Sequence, residues 1–315
     1  MILRWRSVAG LTAALLPLGA CGGSNSAASD GTPADASSDL LATTSIWADI
    51  TSNVACGEPV GSLIPAGADP HSFEPSLKDR QSLEEAGVVI ANGGGLEGSL
   101  TELLAAAIDN GVNVVELAPH VDVLGAGSDE HTTADEHGHD LDGDPHFWQD
   151  PTRVAGALDV IADAVVAAGL DADAVAACTH AYRDELMSLD AAITQQFAPI
   201  PVESRQLVTS HDSLAYFADR YQFQVVGTVI PATNTLAEVS AGELAQLERT
   251  ITERRVKAIF TEQLESVSDA DALAERLGVR IVPLVTDSLT AQPPGNTYAG
   301  MLRSNATLIG QAVSP

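Results

Sequence analysis

Four side chains able to bind a divalent transition metal occupy positions of one kind. They are His71 in LIPAGADPHSFEPS, His146 in GDPHFWQDP, His211 in LVTSHDSLAYF and Asp287 in VPLVTDSL. Neutral imidazole is a ligand of borderline softness, so three of them with a carboxylate suit zinc better than manganese, which leans towards carboxylates and water. Separations of 75, 65 and 76 residues mean that nothing in the local sequence makes these four ligands together. Placement does: each lies where an apolar run ends or a helix-like stretch begins, and in open α/β sheets ligands collect there. Singly, a histidine at a helix start is more often a capping or surface residue, and Asp287 an N-cap. Jointly, the repeated placement in both halves of the chain points to one metal site.

A second histidine group is local. Residues 130–151, EHTTADEHGHDLDGDPHFWQDP, hold four histidines and seven acidic residues. His131, His137 and His139 lie among Asp, Glu, Gly and Thr with no apolar periodicity, the composition of a solvated loop. Two readings stay open, an auxiliary site that captures zinc and a hydrophilic loop that binds it adventitiously.

The elements that must position the four follow from periodicity. LLATTSI, PVGSLIP, GVVIANG and NVVELAP read as short buried parallel strands, alternating with helix-like stretches such as LKDRQSLEEA and LEGSLTELLAAAIDN. RQLVTS, QVVGTVI, VKAIFTE and VRIVPLV repeat the plan, separated by HDSLAYFADRY, SAGELAQLERTITERR and SDADALAERL. The fold class expected is α/β: two βα lobes, each with a roughly four-stranded parallel sheet flanked by helices, joined by a long backbone helix. That helix lies in 151–198, where Val154, Leu158, Ile161 and Val165 keep a helical stripe. Asp150 before Pro151 marks its start, and Gly169-Leu170-Asp171 is where it would bend or break. Ser210 and Asp212 are expected caps for the helix after His211.

Composition bounds the rest. A chain of 315 residues is long enough for two lobes with their own cores or one large α/β unit. The net charge of −28 repels phosphate backbones, so nucleic acid is not an expected partner. Residues 1–21 read as a signal peptide: Arg4 and Arg6, an apolar run too short to span a bilayer, and LGAC with Gly19 and Ala20 before Cys21. The pattern resembles bacterial lipoproteins cleaved and lipidated at Cys21. Residues 22–39 have the composition of a flexible tether. The expected divisions are then 40–150 with a His- and acid-rich loop at 128–143, the linking helix, and 199–315. Cys56 and Cys178 would share a compartment that permits disulfides, and spacing alone leaves their pairing open.

LIPAGADPHSFEPSLKD, GDPHFWQDPTRVAGALDVIADAV, LVTSHDSLAYFADRYQFQVVG, VKAIFTEQLESVSDADALAERLGVRIVPL and TDSL together resemble the zinc and manganese substrate-binding proteins of ABC importers, the TroA, ZnuA and PsaA types. The resemblance runs from about residue 40 to 310. It implies a metal held in the cleft between two lobes by His71, His146, His211 and Asp287, with Glu262 supporting a ligand or standing in for one. It also implies a cognate ABC permease as partner and a monomer lipid-anchored through Cys21 on the outer face of the cytoplasmic membrane. Members directed to manganese tend to carry glutamate at the place of His211, so Zn2+ is expected, with Mn2+ or Fe2+ as the alternative. Two departures are Gln149, where W-x-DP usually carries another residue, and VSAGEL at 239–244, which lacks a proline before its helix. Neither removes a ligand. No H-E-x-x-H or G-x-S-x-G motif supports the rival reading of a secreted zinc hydrolase, and an adhesin role has no residue signature. The expectation is a binding protein and not an enzyme, whose metal affinity falls as pH drops through about 6.

Overall fold

The computed structural model of the protein describes residues 40–125, 143–263 and 268–314. The leader with Cys21, the tether, and His131, His137 and His139 lie outside the described residues.

The eight expected strands form two sheets. In the first, β1 (Leu40–Thr44), β2 (Gly61–Ile64), β3 (Val88–Ala91) and β4 (Val114–Glu116) are ordered β2-β1-β3-β4. In the second, β5 (Gln206–Thr209), β6 (Gln224–Thr228), β7 (Ala258–Glu262) and β8 (Arg280–Leu284) are ordered β6-β5-β7-β8. Every pairing is parallel. A parallel ladder sets all carboxyl ends of a sheet along one edge, and that is the property the site depends on.

Helices start where side chains can satisfy their free N–H groups. α1 (Ser45–Val54) follows β1 without a loop, because Thr44 ends the strand and its Oγ1 accepts from Trp47 N. Ser45 and Ile46 of LLATTSI are therefore helical, a correction to the strand expected there. α2 (Leu77–Glu85) opens on a capping box of Ser76 and Asp79, and α3 (Thr101–Asp109) follows in the first half. In the second half, α6 (Ala215–Tyr221), α7 (Ala241–Arg254), α8 (Ser268–Leu277) and α9 (Tyr298–Val313) complete the set. Ser240 and Glu243 form a capping box that starts α7 without the missing proline. Ser210 and Asp212 do not cap α6, whose N-cap position is Leu214.

The helical connection between the halves breaks at the expected Gly169-Leu170-Asp171. α4 (Pro151–Ala167) starts on Asp150, which accepts from Thr152 N, with Pro151 in its first turn. It stops at Gly169, whose φ of +105 belongs to the left-handed region, and Leu170 N returns to Val165 O. Asp171 then caps α5 (Ala172–Phe197), 26 residues or roughly 39 Å long. α4 packs against α5 and α1, whereas α5 touches α1 of the first half and α6 and α9 of the second. α5 is thus the strut.

The core follows from that arrangement. One continuous apolar cluster runs from Trp47 and Phe147 through Leu158, Val165, Leu186 and Ile193 to Phe217 and Tyr298. Smaller clusters fill the outer face of each sheet, around Leu83 and Val89 in the first and Leu247 and Ile259 in the second. The halves therefore share their inner core instead of owning separate ones.

Cys56 and Cys178 are joined as a disulfide with Cα atoms 5.4 Å apart, tying the end of α1 to the first turns of α5 across 122 residues. Closing a loop of that length removes chain entropy from the unfolded state. Replacing both cysteines by serine is expected to cost about 3 kcal/mol. Chemical denaturation of the two proteins checks this, with a lowered midpoint and little change in metal stoichiometry.

Candidate metal centre

The carboxyl edges of the two sheets face each other, and the four residues meet between them. His71 lies in the turn after β2, and His146 immediately precedes a short 3-10 turn, Phe147–Gln149, that leads into α4. His211 follows β5 and Asp287 follows β8, neighbouring positions on one sheet edge with β7 between them. All four are buried, His146 and His211 to zero exposure.

The ligand atoms are close. His71 Nε2 stands 3.3 Å from His146 Nε2 and 3.6 Å from Asp287 Oδ2, and His211 Nε2 stands 3.2 Å from Asp287 Oδ2. One ligand atom from each of the four can be chosen so that all lie within 4.8 Å of one another. A zinc tetrahedron with bonds of about 2.0–2.2 Å has edges of roughly 3.3–3.6 Å. Three of the contacts are on that scale, and both carboxylate oxygens of Asp287 are buried without a hydrogen-bond partner.

The opposite ring nitrogens are held by carboxylates. His146 Nδ1 is 2.7 Å from Asp144 Oδ1, and His211 Nδ1 is 2.8 Å from Glu262 Oε1. A carboxylate on Nδ1 fixes the tautomer and leaves Nε2 to face a metal. Glu262, singled out in the sequence, thus stands behind His211. Asp144 does the same for His146 and was missed. A signal for it exists: Asp-Pro-His occurs at 69–71 and again at 144–146, and in both the Asp Oδ1 accepts from the histidine backbone N at 2.9 Å. The other oxygen of Asp69 accepts from Ser72 Oγ and, across the halves, from Thr235 Oγ1, both at 2.7 Å.

A buried network fixes the loop that carries His146. Asn92 Nδ2 donates to Pro145 O at 3.0 Å while its Oδ1 accepts from Trp47 Nε1 at 2.8 Å. Glu97 accepts from Thr43 Oγ1 and from the backbone of Asn92 and Gly93. Burial raises the Glu97 carboxyl above its ordinary range, with these hydrogen bonds opposing the rise.

Electrostatics are strongest at His211. Burial acts to lower its pKa, but the carboxylates of Asp287 and Glu262 overcome that and raise it to about 11. Asp287 is the counterpart: burial acts to raise its carboxyl, yet His211 and the other imidazoles hold it well below the usual range. The two carboxylates thus favour the protonated form of the His211 ring.

Among the described residues, no helix is long and apolar enough to cross a membrane. Residues 40–312 match the protein family described as ZnuA, zinc-uptake complex component A, periplasmic. The chain is 32% identical over 272 residues to the manganese-binding lipoprotein MntA of Halalkalibacterium halodurans, covering 84% of this chain and 85% of that protein. It is 27% identical over 302 residues to the zinc-binding protein TroA of Treponema pallidum, covering 93% and 92%. The solved structure of that periplasmic zinc-binding protein superposes with a TM-score of 0.76 at 26% identity, over 88% of this chain and 99% of that one.

Proposed function

The chain belongs to the ZnuA family of zinc-uptake components, and from that premise we propose that it captures Zn2+ outside the cytoplasm on His71, His146, His211 and Asp287. It is a substrate-binding protein of a metal ABC importer and not an enzyme. The observation that carries the choice of zinc is the convergence of three imidazoles and one carboxylate with ligand atoms within 4.8 Å of one another. Three nitrogens with one carboxylate suit zinc, whereas manganese leans towards carboxylates and water. Manganese is the second reading, favoured by the name of the 32% identical relative.

Delivery to a membrane permease follows from the family, and lipidation at Cys21 would keep the protein beside it. The relative MntA is itself named a lipoprotein. Residues 128–143 would add an auxiliary zinc-capturing segment, separate from the tight site.

Metal analysis of protein purified without added metal, followed by competition between zinc and manganese, tests the assignment. One tight metal per chain is expected, with zinc displacing manganese at equimolar concentration and preferred by about a hundredfold or more. Retention of manganese against equimolar zinc would transfer the assignment to manganese.

A further inference from the structure

Gln149 has no part in the ligand set, yet it is fully buried in the turn that follows His146. Its Nε2 donates to Thr286 O at 3.0 Å, and the same carbonyl accepts from Trp148 Nε1 at 2.8 Å. Thr286 directly precedes Asp287. On the other side of Asp287, Ser288 Oγ accepts from Gly67 N at 2.9 Å and lies 3.2 Å from Ser45 Oγ, which accepts from Leu289 N at 3.0 Å. The backbone of Asp287 is therefore clamped on both flanks by groups from the first half of the chain and from its 3-10 turn.

The clamp has a cost on its Gln149 side. Gln149 Oε1 is buried and has no hydrogen-bond partner. A buried carbonyl left unpaired costs about 1–3 kcal/mol, and an apolar side chain of similar volume would avoid that. A site kept against local stability is where a functional constraint is expected. We propose that Gln149 is a positioning residue for Asp287: with Trp148 it fixes the Thr286 carbonyl, so that the carboxylate is held in one orientation against the three imidazoles. The inference rests on the ligand set proposed above.

Metal discrimination follows. A carboxylate held in one orientation keeps the distances that suit a small ion among three imidazoles, whereas a freer one can shift to suit larger and harder ions. Loosening Asp287 therefore weakens zinc more than manganese.

The test is Gln149→Met, which keeps the volume and removes the amide. Metal-free protein should melt at or above the parent temperature, because the unpaired carbonyl is gone. The zinc dissociation constant should rise by about ten- to a hundredfold, the range for losing an outer hydrogen bond to a metal site. The zinc-over-manganese preference should fall, and the visible spectrum of Co2+ bound in place of zinc should change as its coordination geometry changes. Unchanged zinc affinity with an unchanged Co2+ spectrum overturns the positioning role. So does weakened binding accompanied by a lowered metal-free melting temperature, which marks a merely structural residue. His146→Ala, run in parallel, separates the two claims: if it leaves zinc binding intact, the ligand set fails, and if it alone loses zinc, only the role of Gln149 fails.

Discussion

Replacing His146 by alanine is expected to raise the zinc dissociation constant about a thousandfold, close to 4 kcal/mol by the usual conversion of 1.4 kcal/mol per decade. The ring is wholly buried, lies 3.3 Å from His71 at Nε2 and is oriented at Nδ1 by Asp144. Alanine removes a ligand and leaves the Asp144 carboxylate facing a void, so no neighbour can take over. Deleting residues 129–142 should instead leave one tight zinc per chain, since none of the four converging side chains lies there. Direct competition against a chelator of known affinity reads both variants. If the deletion abolished tight binding while His146→Ala kept it, the tight site would belong to the histidine-dense segment.

Lowering the pH from 8 to 5 is expected to weaken zinc binding about tenfold per unit, roughly a thousandfold or 4 kcal/mol in all. The sign follows from His211. Its pKa is raised to about 11 by the two carboxylates against the opposing effect of burial, so the metal-free protein holds this proton throughout the range. Bound metal must displace it, and each fall of one pH unit favours the protonated, metal-free state tenfold. An ordinary imbalance of imidazole titration would give a loss only below about 6.5. The discriminating interval is pH 7 to 8, where a flat affinity would count against the displaced proton. Calorimetry in buffers of different ionisation enthalpy should show about one proton released per zinc at pH 7.5. In the metal-free protein, the same raised pKa contributes stability that is fully present below about 6.5 and is lost as pH rises through about 11.

Much of the fold is legible in the sequence. The short β-branched runs closed by Gly, Pro or polar residues became eight parallel strands, because such runs bury both faces of a sheet. At the end of β1 a side chain overrides the apolar pattern: Thr44 caps α1 and ends the strand early. The linking helix breaks at Gly169 and Asp171, where the sequence expects it to. Asp144 could have been found from the repeated Asp-Pro-His. Gln149 stood out only as a departure from W-x-DP, with no hint of what its amide would reach.

The sequence by itself determined which metal-competent side chains stand at strand ends and helix starts, since periodicity and residue chemistry are local properties. Only the tertiary structure decided that four residues spread over 217 positions, 71 to 287, meet within 4.8 Å. It alone set Glu262 behind His211, raised that histidine's pKa, and brought Gln149 against Thr286. The physical reason is that sheet order and the packing of α5 between the two halves are fixed by burial of one shared core, a long-range requirement that no short stretch of sequence expresses.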